Sequence, residues 1–367
     1  MISLVNLTRQ NKYLKRKLMK SISRVIDEQS FILGPEVAAF EQEFAAYCTA
    51  RYAVGVASGY DAIFLSLRAL GVGHGDEVIT QANTFISTVL PILAVGATPK
   101  LVDVDPTTLS MDVSLVASRI TPRTRAIIPV HLFGLPVDME PLLRLAKKHN
   151  LRLIEDACQA HGALYNGKHV GSFGDTGCFS FYPSKNFGAF GDGGAVITND
   201  QGTADSVRVL RNLGQKGKNI HAVIGVNSRL DTIQAAILRV KLPYLSGWVR
   251  RRRQIAVWYR EGLAGLPLTL VNEPAYATAS YHLFVVRTHS RDKLMRFLKS
   301  HDILCGIHYP IPIHLQPCLK SLGYRKGDFP VSEQSATELL SLPMDAELTR
   351  PEVQKVVYFI RTFFKRI

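Results

Sequence analysis

Two segments carry side chains suited to chemistry. Ser180-Phe181-Tyr182-Pro183-Ser184-Lys185-Asn186-Phe187-Gly188 sets a lysine among aromatic, proline and glycine residues and runs on into Gly191-Asp192-Gly193-Gly194. Upstream, Ile154-Glu155-Asp156-Ala157-Cys158-Gln159-Ala160-His161-Gly162 places an acid at the end of an apolar run. A free lysine titrates near about 10.4. It attacks an aldehyde when burial lowers that value. A carboxylate beyond a strand can keep a pyridine nitrogen protonated, so that the ring accepts electrons from a carbanion. Lysine and acid together point to pyridoxal phosphate, which a lysine holds as a Schiff base. Taken singly, Lys185 can be a surface lysine and Asp156 a turn cap. It is the combination that is specific.

Other residues fit around the same cofactor. Gln159, three positions after Asp156, can reach the ring's phenolic oxygen, and Phe85 can stack on the ring or simply fill core. Ala57-Ser58-Gly59-Tyr60-Asp61-Ala62 joins a strand to a helix, a junction that aims N–H groups at an anion and that also describes an ordinary helix cap. Asn227-Ser228-Arg229-Leu230-Asp231 opens a helix, with Asn227 and Asp231 as possible caps. His308-Tyr309-Pro310-Ile311-Pro312-Ile313-His314 puts two histidines in a proline-stiffened loop, suited to a substrate wall; too few further ligands lie nearby for zinc.

Alternating short strands and helices must position these groups. Tyr52–Val56, Glu77–Thr80, Lys100–Val104, Arg125–Val130, Arg152–Glu155 and Ala195–Thr198 read as strands. Asp61–Ala69, Phe85–Val95 and Met139–Lys148 read as helices. This predicts a mostly parallel sheet covered by helices, with ligands beyond the carboxyl ends of its strands, where Ser58, Gly59, Phe85, His131 and Asp156 fall. Arg229–Leu242 is an amphipathic helix that Pro243 should close. After it come a helix over Pro243–Leu263, a strand over Tyr281–Arg287, a helix over Arg291–Ser300, a strand over Cys305–Tyr309, and helices over Glu333–Leu340 and Arg350–Phe364. The expected division is a large α/β domain over 1–243 and a smaller α+β domain over 244–367.

Composition narrows the class. The chain has 367 residues, 47% hydrophobic and 20% charged, ample for a core. No apolar run is long enough for a transmembrane helix, the amino terminus has the wrong charge order for a secretory signal, and the expected location is the cytoplasm. Its five cysteines form no CxxC pair, as in a reduced protein without a metal site. The net charge of +14 fits a phosphate-rich partner or a generally basic surface. The latter is favoured, because no basic low-complexity tail or helix-turn-helix appears, and nucleic acid is not an expected partner. Arg250-Arg251-Arg252-Arg253 reads as a solvated helix face.

In these motifs the chain resembles the DegT/StrS-type sugar aminotransferases, which have the aspartate-aminotransferase (type I) fold with a seven-stranded-type sheet. The resemblance runs from about Val5 to Pro343 and includes Phe31-Ile32-Leu33-Gly34-Pro35, Gly75-Asp76-Glu77-Val78-Ile79, the Asp156 and Lys185 segments, Asn227–Asp231 and His308-Tyr309-Pro310. It implies that Lys185 is the Schiff-base lysine, Asp156 the acid on the pyridine nitrogen, and Gln159 the partner of the ring hydroxyl. It implies stacking by Phe85 and phosphate contacts from Gly59, Tyr60 and Ser180. Asn227 matches an asparagine that reaches the phosphate held by the other subunit, which implies a homodimer. His161-Gly162-Ala163, Tyr281–Val285 and His308–His314 are most similar to enzymes that aminate C3 of dTDP-3-keto-6-deoxyhexoses with L-glutamate as donor. Amination of 4-keto or UDP-linked 3-keto sugars, and a regulatory protein without turnover, are the alternatives. Tyr182, Arg229, His308, Tyr309 and His314 are the expected substrate contacts. Tyr60 stands where the family often has a smaller residue, and Asn219-Ile220-His221 replaces a Lys-Tyr-type pair in a loop expected to face substrate.

Overall fold

A computed structural model describes residues 1–366. Seven strands form the central sheet, in the order Tyr52–Val56, Gly194–Thr198, Thr176–Ser180, Arg152–Asp156, Thr124–Ile128, Glu77–Gln81, Thr98–Val102. The last five of these are mutually parallel, whereas Gly194–Thr198 runs antiparallel to both its neighbours. The strands are buried nearly throughout, as expected of a sheet covered on both faces. Thr176–Ser180 is a strand that the apolar pattern does not announce. It enters the sheet through Gly177, where a Cβ would lie 2.2 Å from the carbonyl oxygen of Gly171.

Helices follow where apolar periodicity places them: Gly59–Ala69, Ile86–Ala94 and Met139–His149. The first begins in a sound cap, Ser58 Oγ accepting the Asp61 N–H at 3.1 Å. Pro243 does not end a helix. A single helix of 32 residues, Thr232–Leu263, runs through it. Proline removes one backbone hydrogen bond, but Leu238, Leu242, Leu245 and Trp248 bury one continuous face on either side of it and outweigh that loss.

The second half of this helix packs against a three-stranded antiparallel sheet, Thr269–Leu270, Phe284–Arg287 and Leu339–Leu342, backed by helices Arg291–Lys299 and Arg350–Phe364. The helix expected over Glu333–Leu340 occupies Pro330–Glu338 and gives way directly to strand. Cys305–Tyr309 is no strand: it makes one bridge, Gly306 to Ser341, and then a cis peptide between His308 and Tyr309.

The arginine cluster is not a uniform solvated face. Arg252 is buried, its guanidinium donating to the carbonyls of Tyr281 at 3.0 Å and Met344 at 3.2 Å, while Arg253 pairs with Glu273 at 2.8 Å. Of the four, only Arg250 lies on the stripe that this helix turns to water, with Ser246, Gln254 and Val257. Among the described residues no helix is long and apolar enough to cross a membrane.

Candidate active site

A cavity of about 390 Å³ opens beyond the carboxyl ends of the strands. Lys185, Asp156, Gln159, Ser180, Gly59, Tyr60, Phe85, Tyr182, His308 and Tyr309 all line it. Residues 126 positions apart in sequence, from Gly59 to Lys185, thus meet where open α/β sheets bind ligands.

Asp156 is the last residue of its strand, held there by backbone bonds to Pro129 and His131. Its Oδ2 accepts the Thr88 hydroxyl at 2.7 Å, and Oδ1 accepts the Cys158 N–H at 3.2 Å. Thr88 in turn lies 2.7 Å from Thr84 Oγ1, so the carboxylate is braced from the helix Ile86–Ala94. Gln159 is fixed in one pose: its Oε1 accepts the Phe133 N–H at 2.8 Å, and its Nε2 donates to the Tyr309 hydroxyl at 3.0 Å.

Lys185 sits in the loop after the strand Thr176–Ser180. Among the described residues nothing hydrogen-bonds its Nζ. The side chain is only partly covered because it opens into the cavity, yet the surrounding walls strip away most of its water. Burial holds its pKa below the usual lysine range, partly offset by Cys158 and Asp156. Three imidazoles stand near the ammonium. Burial pushes His161 down to about 3, with the charge of Lys185 adding to the effect. His282 and His308 are lowered by the same two causes in the same order. These rings are therefore neutral near pH 7.

At the opposite end, the N-terminus of Gly59–Ala69 points at the cavity. Gly59 is obligatory there, because a Cβ would meet Cys158 Sγ at 2.7 Å and Ser180 Cβ at 2.8 Å. The glycine lets the helix start approach the sheet closely, leaving its free N–H groups and positive dipole toward the space. Phe85 caps the next helix, half exposed, its ring centroid 5.2 Å from that of Tyr309. An amine, a carboxylate, an aromatic ring and a helix N-terminus line one cavity, a set of groups into which pyridoxal phosphate fits.

Three expected site residues lie elsewhere. His314 is 2% exposed, its Nε2 is 2.9 Å from Glu333 Oε1, and its ring packs edge-on against Phe329. It ties the turn Ile313–Leu315 to the helix Pro330–Glu338 and is not a cavity wall. Arg229 donates to Asn212 Oδ1 at 2.9 Å, outside the cavity, and Asn227 is exposed beside it. His131, at a strand end, faces the other way: its Nδ1 accepts the Val137 N–H at 3.1 Å, so the proton is on Nε2, 3.1 Å from Glu155. Conversely, Thr84, Thr88 and His282 belong to the site, although sequence reading passed over their roles. Thr88 was recoverable, lying one helical turn after Thr84 at the start of a predicted helix.

Comparison with known proteins agrees with this geometry. The model of the DegT/DnrJ/EryC1/StrS aminotransferase family matches residues 12–361. The chain is 45% identical to a pleiotropic regulatory protein of Geobacillus stearothermophilus, covering 99% of each. It is 44% identical to dTDP-3-amino-3,4,6-trideoxy-alpha-D-glucose transaminase of Streptomyces venezuelae, covering 95% of this chain and 92% of that one. The crystal structure of S. venezuelae DesV superposes with a TM-score of 0.98 at 44% identity, covering 100% and 99% of the two chains. Solved relatives hold pyridoxal or pyridoxamine phosphate. A lysine and a carboxylate facing one anion-cradling cavity, on this fold and with these relatives, make the chain a member of the DegT/DnrJ/EryC1/StrS aminotransferase family, pyridoxal-phosphate enzymes that act on sugars.

Proposed function

We propose that the enzyme moves the amino group of L-glutamate to C3 of a dTDP-3-keto-6-deoxyhexose, yielding 2-oxoglutarate and the 3-aminosugar nucleotide. The carrying observation is that Lys185 and Asp156 face one cavity from adjacent parallel strands' ends, with the Gly59 helix start across from them. The acceptor rests on relatives at 44% and 45% identity named as dTDP-3-amino-sugar transaminases.

Bound pyridoxal phosphate supplies an aldehyde that condenses with amines and a ring that accepts the electrons left when a proton leaves the adjoining carbon. Lys185 Nζ is the amine that anchors it. Burial lowers its pKa, which eases loss of the proton it must give up before it can bond to the aldehyde. When free of the cofactor it takes the Cα proton of glutamate and returns a proton on the cofactor side; with the keto-sugar it runs the transfer backward. Asp156, braced by Thr88 and the Cys158 N–H, keeps a positive charge on the ring nitrogen. Gln159 would serve the ring hydroxyl, Gly59, Tyr60 and Ser180 would hold the phosphate, and Phe85 would stack on the ring. Tyr182, His308 and Tyr309 line the outer cavity and contact the sugar nucleotide.

The same reading includes a homodimer. Asn227 and Arg229 stand outside their own chain's cavity, on a surface that continues into Leu213, Ile220, Val223 and the 85%-exposed Ile224. Phe31 and Ile32, also exposed, lie against the start of the same helix, where Thr232 N–H bonds to Phe31 O. An apolar surface of this kind suits burial against a second copy, which would carry Asn227 to the partner's phosphate site. On this reading the large domain spans 1–243 and the small one 244–367, and the two share the helix Thr232–Leu263. The cytoplasm is the proposed location.

The test is a panel of dTDP-3-keto, dTDP-4-keto and UDP-3-keto sugars, offered with glutamate, with products identified by NMR. C3 amination of the dTDP-3-keto sugar is expected; turnover of the 4-keto sugar alone overturns the regiochemistry.

A further inference from the structure

Lys241 is a buried cation that the site does not use. It lies on the helix Thr232–Leu263, 2% exposed, and among the described residues no carboxylate pairs with it. Its Nζ donates to the carbonyl of Gly188 at 2.7 Å and lies 4.4 Å from the ring centroid of Phe190. Burial lowers its pKa to about 8. An ammonium taken out of water without a counter-ion is costly, and an aliphatic side chain of that length would fill the space more cheaply. Its retention calls for a task.

The task is visible in what it grips. Gly188 admits no side chain, since a Cβ would lie 2.3 Å from the Pro183 carbonyl oxygen. Pro183 to Gly188 therefore close on themselves with Lys185 between them. The loop is tied internally by Lys185 N–H to Tyr182 O at 2.9 Å and Ala189 N–H to Phe181 O at 2.7 Å. Three external bonds hold it. Asn186 Nδ2 donates to Ser280 O at 2.9 Å, Lys241 takes the Gly188 carbonyl, and Gln234 Oε1 accepts the Phe190 N–H at 2.8 Å. Gln234 and Lys241 are seven residues apart, two turns along one face of the helix. One rigid helix thus grips the segment just after the lysine at two points.

We propose that Lys241, with Gln234, is a positioning residue that sets the pose of the Lys185 loop. The proposal rests on the reading of Lys185 as the cofactor's anchor. It assigns Lys241 no contact with substrate or cofactor. The ammonium serves here as a strong, charge-assisted donor to one carbonyl, shielded from water by the Phe190 ring.

The experiment adds pyridoxal phosphate to cofactor-free, full-length protein and follows the visible absorbance band. Its rate of growth and its pH midpoint are recorded, beside the melting temperature of the cofactor-free protein. Borohydride trapping and peptide mass spectrometry locate the attachment. Cys158 and Asp156 act on Lys185, and His161, His282 and His308 stand near it; all five are untouched by the variants. Lys241→Met should slow uptake roughly tenfold or more and move the pH midpoint, with no loss of melting temperature, as expected when an attacking atom is displaced by a fraction of an ångström. Lys241→Arg, which keeps the charged donor, should recover most of the rate. A Lys241→Met protein with the unchanged rate and midpoint, trapped at Lys185, overturns the proposal. If Lys241→Met does not fold, Gln234→Leu decides: slowed uptake with a normal melting temperature supports the clamp, and normal uptake overturns it. Lys185→Ala, run alongside, separates the two readings, because a band trapped at another lysine there defeats the assignment of Lys185 whatever Lys241 does.

Discussion

Glu155 and Asp156 are neighbours on one strand, both buried, and they do opposite things. Successive side chains point to opposite faces of a sheet. Glu155 is enclosed and has every acceptor position filled: the N–H groups of Phe173 and Gly174 on Oε1, Gly171 N–H and His131 Nε2 on Oε2. Asp156 accepts only from Thr88 and the Cys158 N–H, and faces a cavity. The contrast teaches what separates a structural carboxylate from a chemical one. The first has spent its hydrogen-bonding capacity on the protein; the second keeps capacity for a ligand. The histidines divide in the same way, His131 and His314 being spent on Glu155 and Glu333 while His308 and His282 line the cavity.

That contrast can be broken at several points. Lys185→Ala should abolish the visible cofactor band and lower transamination by roughly 10³-fold, measured by coupled detection of 2-oxoglutarate. Asp156→Asn should lower turnover by roughly 10²-fold with the fold retained by circular dichroism. It should also shift the pH at which cofactor-free protein takes up pyridoxal phosphate downward, because Asp156 partly offsets the burial that depresses Lys185. An upward shift would contradict the assigned electrostatics. Glu155→Gln should do the reverse, costing about 3 kcal/mol in denaturant unfolding, since an amide N–H replaces an acceptor among four donors. Turnover per folded molecule should stay near that of the unchanged chain. Gly59→Ala should cost about 1–3 kcal/mol and weaken cofactor retention, read by equilibrium dialysis, since its methyl collides with Cys158 and Ser180.

The smallest effect belongs to a pair far from the cavity. Arg9 bridges Glu352 with two bonds, 2.6 and 2.8 Å, and holds that carboxyl down at about 2. Arg9→Ala should cost only about 0.5 kcal/mol. Glu352 has a folded pKa below its unfolded value, so its contribution is complete above the unfolded value and disappears as pH falls through about 2. The variant's acid-unfolding curve should lose that slope.

Much of the site was legible because its pieces are short and local. A glycine at a strand–helix junction, an acid closing an apolar run and a lysine in a glycine-aromatic loop each follow from bonding within a few residues. What escaped depended on partners distant in sequence. Glu333 claims His314 from 19 residues away, and nothing in the proline loop marks that histidine as spent. Arg252 looks like one of four equivalent arginines until the carbonyls of Tyr281 and Met344 surround it. Pro243 reads as a stop by local rules, and two cores sharing one helix override it.

By itself, then, the sequence determined the alternation of elements, the family motifs and the lysine and acid that the fold brings to one cavity, all of them consequences of local propensity and spacing. Only the tertiary structure decided which polar groups are spent and which are free, because that depends on donors and acceptors brought from elsewhere in the chain. It also decided that desolvation depresses Lys185 at the cavity wall, and that a buried lysine, Lys241, grips the loop that carries it.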